Sequence, residues 1–201
     1  MKAAYGKKHL DRQKRTQISS DFMTIYLGIS VIVLHDLYRF GTERQFRYVK
    51  ALNEMMNDGL ERYRERGDTE RVEAVGNLYF ASRRDLRDSG VEVAKIDRQY
   101  APVEPEGWKQ TRRSRGNPYE RRAFLEAIDL SIAPIWYLTG LYLREEYGFG
   151  EVRLTRYYTE CRKRYMEFWK SYLYCTEEGD YFCTKYKADL KKRSLAMGVE
   201  I

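Results

Sequence analysis

Hydrophobic residues recur along this chain with the period of a helix rather than that of a strand. Phe46, Val49, Leu52, Met56, Leu60 and Tyr63 follow one another at three or four positions, the spacing that lines one face of an α-helix. They predict a helix from about Thr42 to Arg66. Val72, Val75, Tyr79, Ser82 and Leu86 predict a second, closed by Gly90, and Tyr157, Cys161, Tyr165, Phe168 and Tyr172 repeat the first stripe further on. Two stretches are different. FMTIYLGISVIVL (Phe22–Leu34) and LEAIDLSIAPIWYLTGLYLREEY (Leu125–Tyr147) are apolar on nearly every face, as befits helices at the centre of a bundle. Pro134 should kink or restart the second of these, because proline lacks a donor and clashes with the preceding turn. Gly41 and Gly150 stand where these helices must stop and reverse, a position that favours positive φ. Gly67-Asp68-Thr69 and Gly179-Asp180 break the chain again and cap a third helix. Nothing alternates as a sheet strand would.

The breaks expose an internal repeat. Aligned at a shift of 109, residues 34–48 match 143–157 at Leu34/Leu143, Tyr38/Tyr147, Phe40/Phe149, Gly41/Gly150, Arg44/Arg153, Arg47/Arg156 and Tyr48/Tyr157, and Asp36 falls on Glu145. The match resumes in GVEV at 90–93 and GVEI at 198–201. The expected fold is all-α: two tandem three-helix modules forming a pseudo-twofold bundle, with the apolar helices packed across the pseudo-axis. The domains are a basic arm plus first module at 1–93, a linker at 94–108, and a basic arm plus second module at 109–201.

Composition adds the charge. The chain has 201 residues, 43% hydrophobic and 14% aromatic, enough for a packed core, and carries a formal net charge of +7. Residues 1–18 hold Lys2, Lys7, Lys8, Arg12, Lys14 and Arg15 against Asp11; residues 109–122 hold Lys109, Arg112, Arg113, Arg115, Arg121 and Arg122 against Glu120. Each segment therefore carries +5 and the remainder carries −3. Basicity concentrated ahead of each module suits an anionic partner. Arg112, Arg113 and Arg115 between Trp108 and Tyr119 read either as an arm that contacts phosphates and stacks on bases or as a solvated linker.

The repeated turn has two readings as well. After Gly41 and Gly150 the first helical N–H groups have no intrahelical partner, and Arg44 with Arg47, or Arg153 with Arg156, lie three apart on one face. Free amides and two guanidiniums suit a phosphate. Alternatively Arg44 reaches back to Asp36, and Arg153 to Glu145, as a clamp between helices. The turn's tyrosines and phenylalanines read as hydrophobic staples.

Chemistry beyond binding is scarce. No phosphate-loop, zinc-protease or nucleophile-elbow motif occurs, His9 and His35 are 26 residues apart, and Glu145 and Glu146 face different ways. No catalytic residue, metal or cofactor is expected, and His35 reads as structural. The apolar run at Phe22–Leu34, about 13 residues against the roughly 20 of a membrane span, reads as core, so no membrane partner is expected. No secretory leader is expected either. Three cysteines, Cys161, Cys175 and Cys183, match no disulfide or zinc spacing and point to a reducing cytoplasm.

LGISVIVLHDLYRFGTER resembles an LGxSxxVLHxxFGFGxxR pattern of small phage and prophage proteins of Gram-positive bacteria, which carry one copy and end in a short Gly-Ile-Glu-like tail. The first copy departs from it at Tyr38 and Arg39, and the second departs before Leu143, with Pro134 and Trp136 in place of aliphatics. The resemblance implies a phage accessory role, including counter-defence in the host cytoplasm. The expected function is non-enzymatic binding of nucleic acid or a phosphate-bearing nucleotide. The alternative is a protein-interaction module that inhibits a host defence or nucleic-acid enzyme.

Overall fold

A helix that is apolar on every side has to be wrapped on every side. The computed structural model describes residues 2–65, 71–100, 118–174 and 179–196, and the side chains of 20–63, 73–100, 131–168 and 185–196. Among these residues the chain is all-helical: α1 (Lys2–Tyr38), α2 (Thr42–Glu65), α3 (Arg71–Asp88), α4 (Val93–Gln99), α5 (Pro118–Tyr147), α6 (Glu151–Tyr174) and α7 (Gly179–Ala196). The two apolar helices, α1 and α5, pack on each other. Their remaining faces are covered crosswise: α6 and α7 lie on α1, whereas α2 and α3 lie on α5. Each half of the chain thus supplies the cover for the other half's apolar helix. Ile25, Ile29, Val31, Val33 and Leu34 of α1 and Ile135, Leu138 and Leu143 of α5 are buried in one core, and each such side chain contributes roughly 1.5–3 kcal/mol relative to exposure. By length and composition Ser20–Tyr38 would also cross a membrane, but most of that surface is buried inside the protein.

Several elements differ from the sequence expectation. The basic segment ahead of the first copy is helical and runs into the core helix as one element, α1. Helix α5 does not restart at Pro134, which lies inside it. The expected linker at 94–108 begins with α4, whose Val93 and Ile96 are buried. Asp97 holds this helix in place: it accepts hydrogen bonds from Arg83 of α3 (Nη2–Oδ2 2.5 Å) and from the Tyr137 hydroxyl of α5 (2.7 Å). Lys95 pairs with Glu92 at 2.8 Å and with Glu151 of α6. Arg162 of α6 donates to the Arg98 carbonyl at 2.7 Å, and Tyr100 sets its ring edge-on to Trp136.

The buried face of α2 follows the expected stripe at Val49, Leu52, Met56, Leu60 and Tyr63 but departs from it in the first turn. Gln45 and Tyr48 are fully buried and Phe46 is 56% exposed. Gln45 is drawn inward because its amide donates to the Phe40 carbonyl (2.8 Å), which has no successor donor where the helix has ended. The left-handed residues also fall elsewhere than expected. They are Arg39 (φ 57°) and Gly148 (φ 59°), each two residues before the glycine thought to need that conformation. Arg39 N–H donates to the His35 carbonyl (2.9 Å) and Phe40 N–H to Leu34 (3.3 Å); at the same offsets Gly148 donates to Arg144 (3.1 Å) and Phe149 to Leu143 (3.1 Å). Both ends are the left-handed type of helix stop. Gly90 (φ 87°) closes α3 as expected.

Gly140 of α5 is required for a different reason. A Cβ there would meet the Tyr158 hydroxyl at 2.5 Å and Leu86 Cδ2 at 2.9 Å, and that hydroxyl is fixed by its hydrogen bond to the Trp136 carbonyl (2.6 Å). Gly140→Ala should therefore destabilise the protein by about 1–3 kcal/mol through overpacking. Gly76, with nothing within 4 Å of the same position in α3, should instead gain about 0.5–1 kcal/mol on replacement by alanine. Urea denaturation of the two variants checks both signs.

Candidate functional site

The two turns that end α1 and α5 lie side by side. Tyr38 packs on Phe149 with ring centroids 4.7 Å apart, Tyr147 packs on Phe40 at 4.7 Å, and Phe40 meets Phe149 at 6.3 Å. Each aromatic pair adds about 0.5–1.5 kcal/mol to plain burial. The Tyr38 hydroxyl also donates to the Arg153 carbonyl (2.7 Å). The aromatic residues thus hold one turn against the other, and the first turns of α2 and α6 emerge together at that end of the protein.

Beneath the turns a cluster of hydroxyls is buried. Ser30 Oγ meets the hydroxyls of both Tyr48 and Tyr157, and the Tyr48 hydroxyl lies 3.1 Å from Thr139 Oγ1. All four residues are fully buried. Tyr48 and Tyr157 are 109 positions apart, and so are Ser30 and Thr139. Burial pushes the Tyr48 phenol up to about 12, against the hydrogen bonds from Ser30 and Thr139 that lower it. Burial likewise raises Tyr26, Tyr157 and Tyr158 well above the ordinary tyrosine range. The Cys161 thiol, on the same face of α6, is pushed up to about 12 by burial and stays protonated, which removes it as a nucleophile.

At the surface, the first arginine of each pair is drawn to the aromatic turn. The Arg44 guanidinium lies over the Phe40 ring (5.9 Å) and that of Arg153 over Phe149 (5.1 Å), with Arg153 also donating to the Gly148 carbonyl (3.0 Å). The expected clamp from Arg44 to Asp36 does not form. Asp36 accepts from Arg164 of α6 (2.8 Å) and pairs with His35 (3.1 Å). Partial burial would raise the Asp36 carboxyl, but the hydrogen bonds from His35 and Arg164 outweigh it and hold the group below the usual range. The second arginines are exposed. Arg47 pairs with Glu43 at 3.7 Å, both side chains more than half exposed, and such a surface pair is worth only about 0.3–0.5 kcal/mol. Arg156 is exposed near Tyr38, whose phenol is raised by burial and lowered by the charges of Arg156 and Arg153. Arg47 bears in the same way on Tyr142.

The remaining basic residues are only partly placed. Lys7, Lys8, Arg12, Lys14 and Arg15 belong to α1, and Arg121 and Arg122 to the start of α5, their side chains outside the described residues. Arg112, Arg113 and Arg115 lie outside the described residues altogether. Among the described residues no group of three His, Cys, Asp or Glu side chains is arranged to hold a metal ion. The hydroxyl cluster was not singled out from sequence, and Arg39 was marked only as a departure from the resembled pattern. Ser30 and Thr139 are chemically alike but not identical, so a comparison by identity passes over them. No protein-family model, curated protein or solved structure matches the chain.

The buried phenols give a pH prediction. A tyrosine whose folded pKa is raised stabilises fully below its unfolded value near 10 and loses that contribution as pH climbs toward the folded value of about 12. The tyrosine contribution to stability should be flat below pH 10 and fall steeply above it, separate from the loss at acid pH that the depressed Asp36 carboxyl implies. Phenolate absorbance from the buried tyrosines should rise together with the loss of helical circular dichroism. Removal of the shared hydroxyl in Ser30→Ala should cost about 1–3 kcal/mol by denaturant titration, since the Tyr48 and Tyr157 hydroxyls then lose the partner they share.

Proposed function

We propose that this chain is a non-enzymatic binder of phosphate-bearing ligands, nucleic acid or nucleotide, built as a pseudo-twofold pair of modules. The observation that carries the reading is the joining of the two turns, which brings the exposed arginines of α2 and α6 to one end of the protein. Arg47 and Arg156 serve as the primary phosphate contacts. Arg44 and Arg153 divide their charge between the aromatic rings and the ligand, a cation–π contact at an exposed site being worth about 0.5–1 kcal/mol. A charge-assisted hydrogen bond to phosphate is stronger than either the Glu43 pair or the ring contact, so both kinds of arginine are available to a ligand. Phe46, exposed between Arg44 and Arg47, offers a face on which a base stacks. The basic segments at 1–18 and 109–122 add sequence-independent attraction. The pseudo-twofold is supported by the reciprocal ring contacts and by the equal spacing of the turn hydrogen bonds. From the motif resemblance we read a phage accessory role, counter-defence included, in the host cytoplasm.

The test is fluorescence anisotropy with a labelled duplex oligonucleotide across a salt series. Binding should weaken steeply with salt, with a slope of about −0.9 per phosphate neutralised. Replacing Arg47 and Arg156 by serine should reduce that slope by about one for each arginine. Absent or salt-independent binding would sink the reading. Recovery instead of one stoichiometric host protein, insensitive to nuclease, would favour an inhibitor of a host enzyme, with the exposed Phe46 and Val152 as its anchors.

A further inference from the structure

The left-handed residue that ends α1 is an arginine, while the one that ends α5 is a glycine. Arg39 (φ 57°) and Gly148 (φ 59°) occupy the same place in the two copies and make the same hydrogen bond, to His35 and to Arg144 respectively. Glycine enters that conformation freely, whereas a side chain with a Cβ is disfavoured there. Asparagine, aspartate and histidine are the side chains usually tolerated in its place. The second copy therefore shows the residue that backbone geometry prefers. The first copy holds a long cation against that preference.

Among the described residues no ring contact or ion pair accounts for it. Arg39 is exposed, and among the described residues no acid pairs with it. Its neighbours are fixed: Tyr38 packs on Phe149 and donates to the Arg153 carbonyl, and Phe40 packs on Tyr147 and Phe149. The Arg39 backbone is thus locked on the joined turns that carry Arg153 and Arg156. Glu43 is paired with Arg47, and Asp36 is taken by Arg164 and His35.

We infer that Arg39 is a ligand-contacting residue of the joined turns, kept in a disfavoured backbone conformation for its charge, and that it contacts a phosphate group of the bound ligand. This rests on the phosphate-binding reading above and makes the ligand surface asymmetric, since the second copy supplies no cation at the matching place.

The test compares full-length wild type, Arg39→Gly and Arg39→Lys by thermal melting and by binding to a labelled DNA duplex and to inorganic tripolyphosphate. Arg39→Gly should melt at the same temperature or up to about 3 °C higher, because the backbone constraint is relieved. It should bind the duplex about 3- to 10-fold more weakly at low salt, with a salt slope reduced by about one. Arg39→Lys should keep the slope and bind within about twofold of wild type, since the charge is retained. An equal loss for tripolyphosphate assigns the contact to phosphate from either source; a loss for the duplex alone assigns it to the nucleic-acid backbone. Wild-type affinity in Arg39→Gly, or a lower melting temperature, would overturn the inference while leaving the phosphate-binding reading intact. If wild type binds neither probe, both fall.

Discussion

The fold depends on a burial requirement that neither half of the chain meets alone. Helix α1 over residues 22–34 and helix α5 over residues 125–147 are apolar on nearly all sides, so each needs neighbours all round it, and an isolated helix pair would leave large apolar faces in water. The crosswise cover solves this: α6 and α7 on α1, α2 and α3 on α5. Other features follow from that exchange. Helix α4 has to cross between the halves, and its ties to Arg83, Tyr137, Glu151 and Arg162 reach both of them. The ends of α1 and α5 come together, and with them the turns whose arginines give the protein its candidate ligand surface.

Apolar burial does not choose a register, since leucine against isoleucine is nearly indifferent to a sliding helix. The hydroxyl cluster does choose. Ser30, Tyr48, Tyr157 and Thr139 satisfy one another only when α1, α2, α5 and α6 meet at one relative height, and a buried hydroxyl left without a partner costs about 1–3 kcal/mol. The reciprocal pairs Tyr38–Phe149 and Phe40–Tyr147 impose the same register at the surface end. Polar and aromatic residues thus select the arrangement that hydrophobic burial drives.

Much of this was legible in sequence because its causes are local. Period and glycine placement located α2 from Thr42 and α3 up to Gly90, and the all-round apolarity of α1 and α5 identified the central pair. What escaped depends on contacts far along the chain. Asp36 looks like a partner for Arg44 when only neighbours are considered, yet Arg164 takes it from another helix. Phe46 fits an apolar stripe, but the Phe40 carbonyl draws Gln45 inward and turns Phe46 out. Helix α4 carries two buried apolar residues, too few to stand out, and is held largely by side chains from α3, α5 and α6. Of the candidate site, the paired arginines were visible as a repeated spacing. That the two turns touch, and that Arg39 takes the same left-handed conformation as its counterpart Gly148, is evident only in three dimensions.

The central claim is that the two halves fold as one body because each covers the other's core helix. Native-state hydrogen exchange measured along α1 and α5 tests it most directly. The amides of residues 25–34 and 132–143 should open with a common free energy equal to that of global unfolding. Two distinct opening free energies, one for each half, would show that the halves stand independently and would contradict the account.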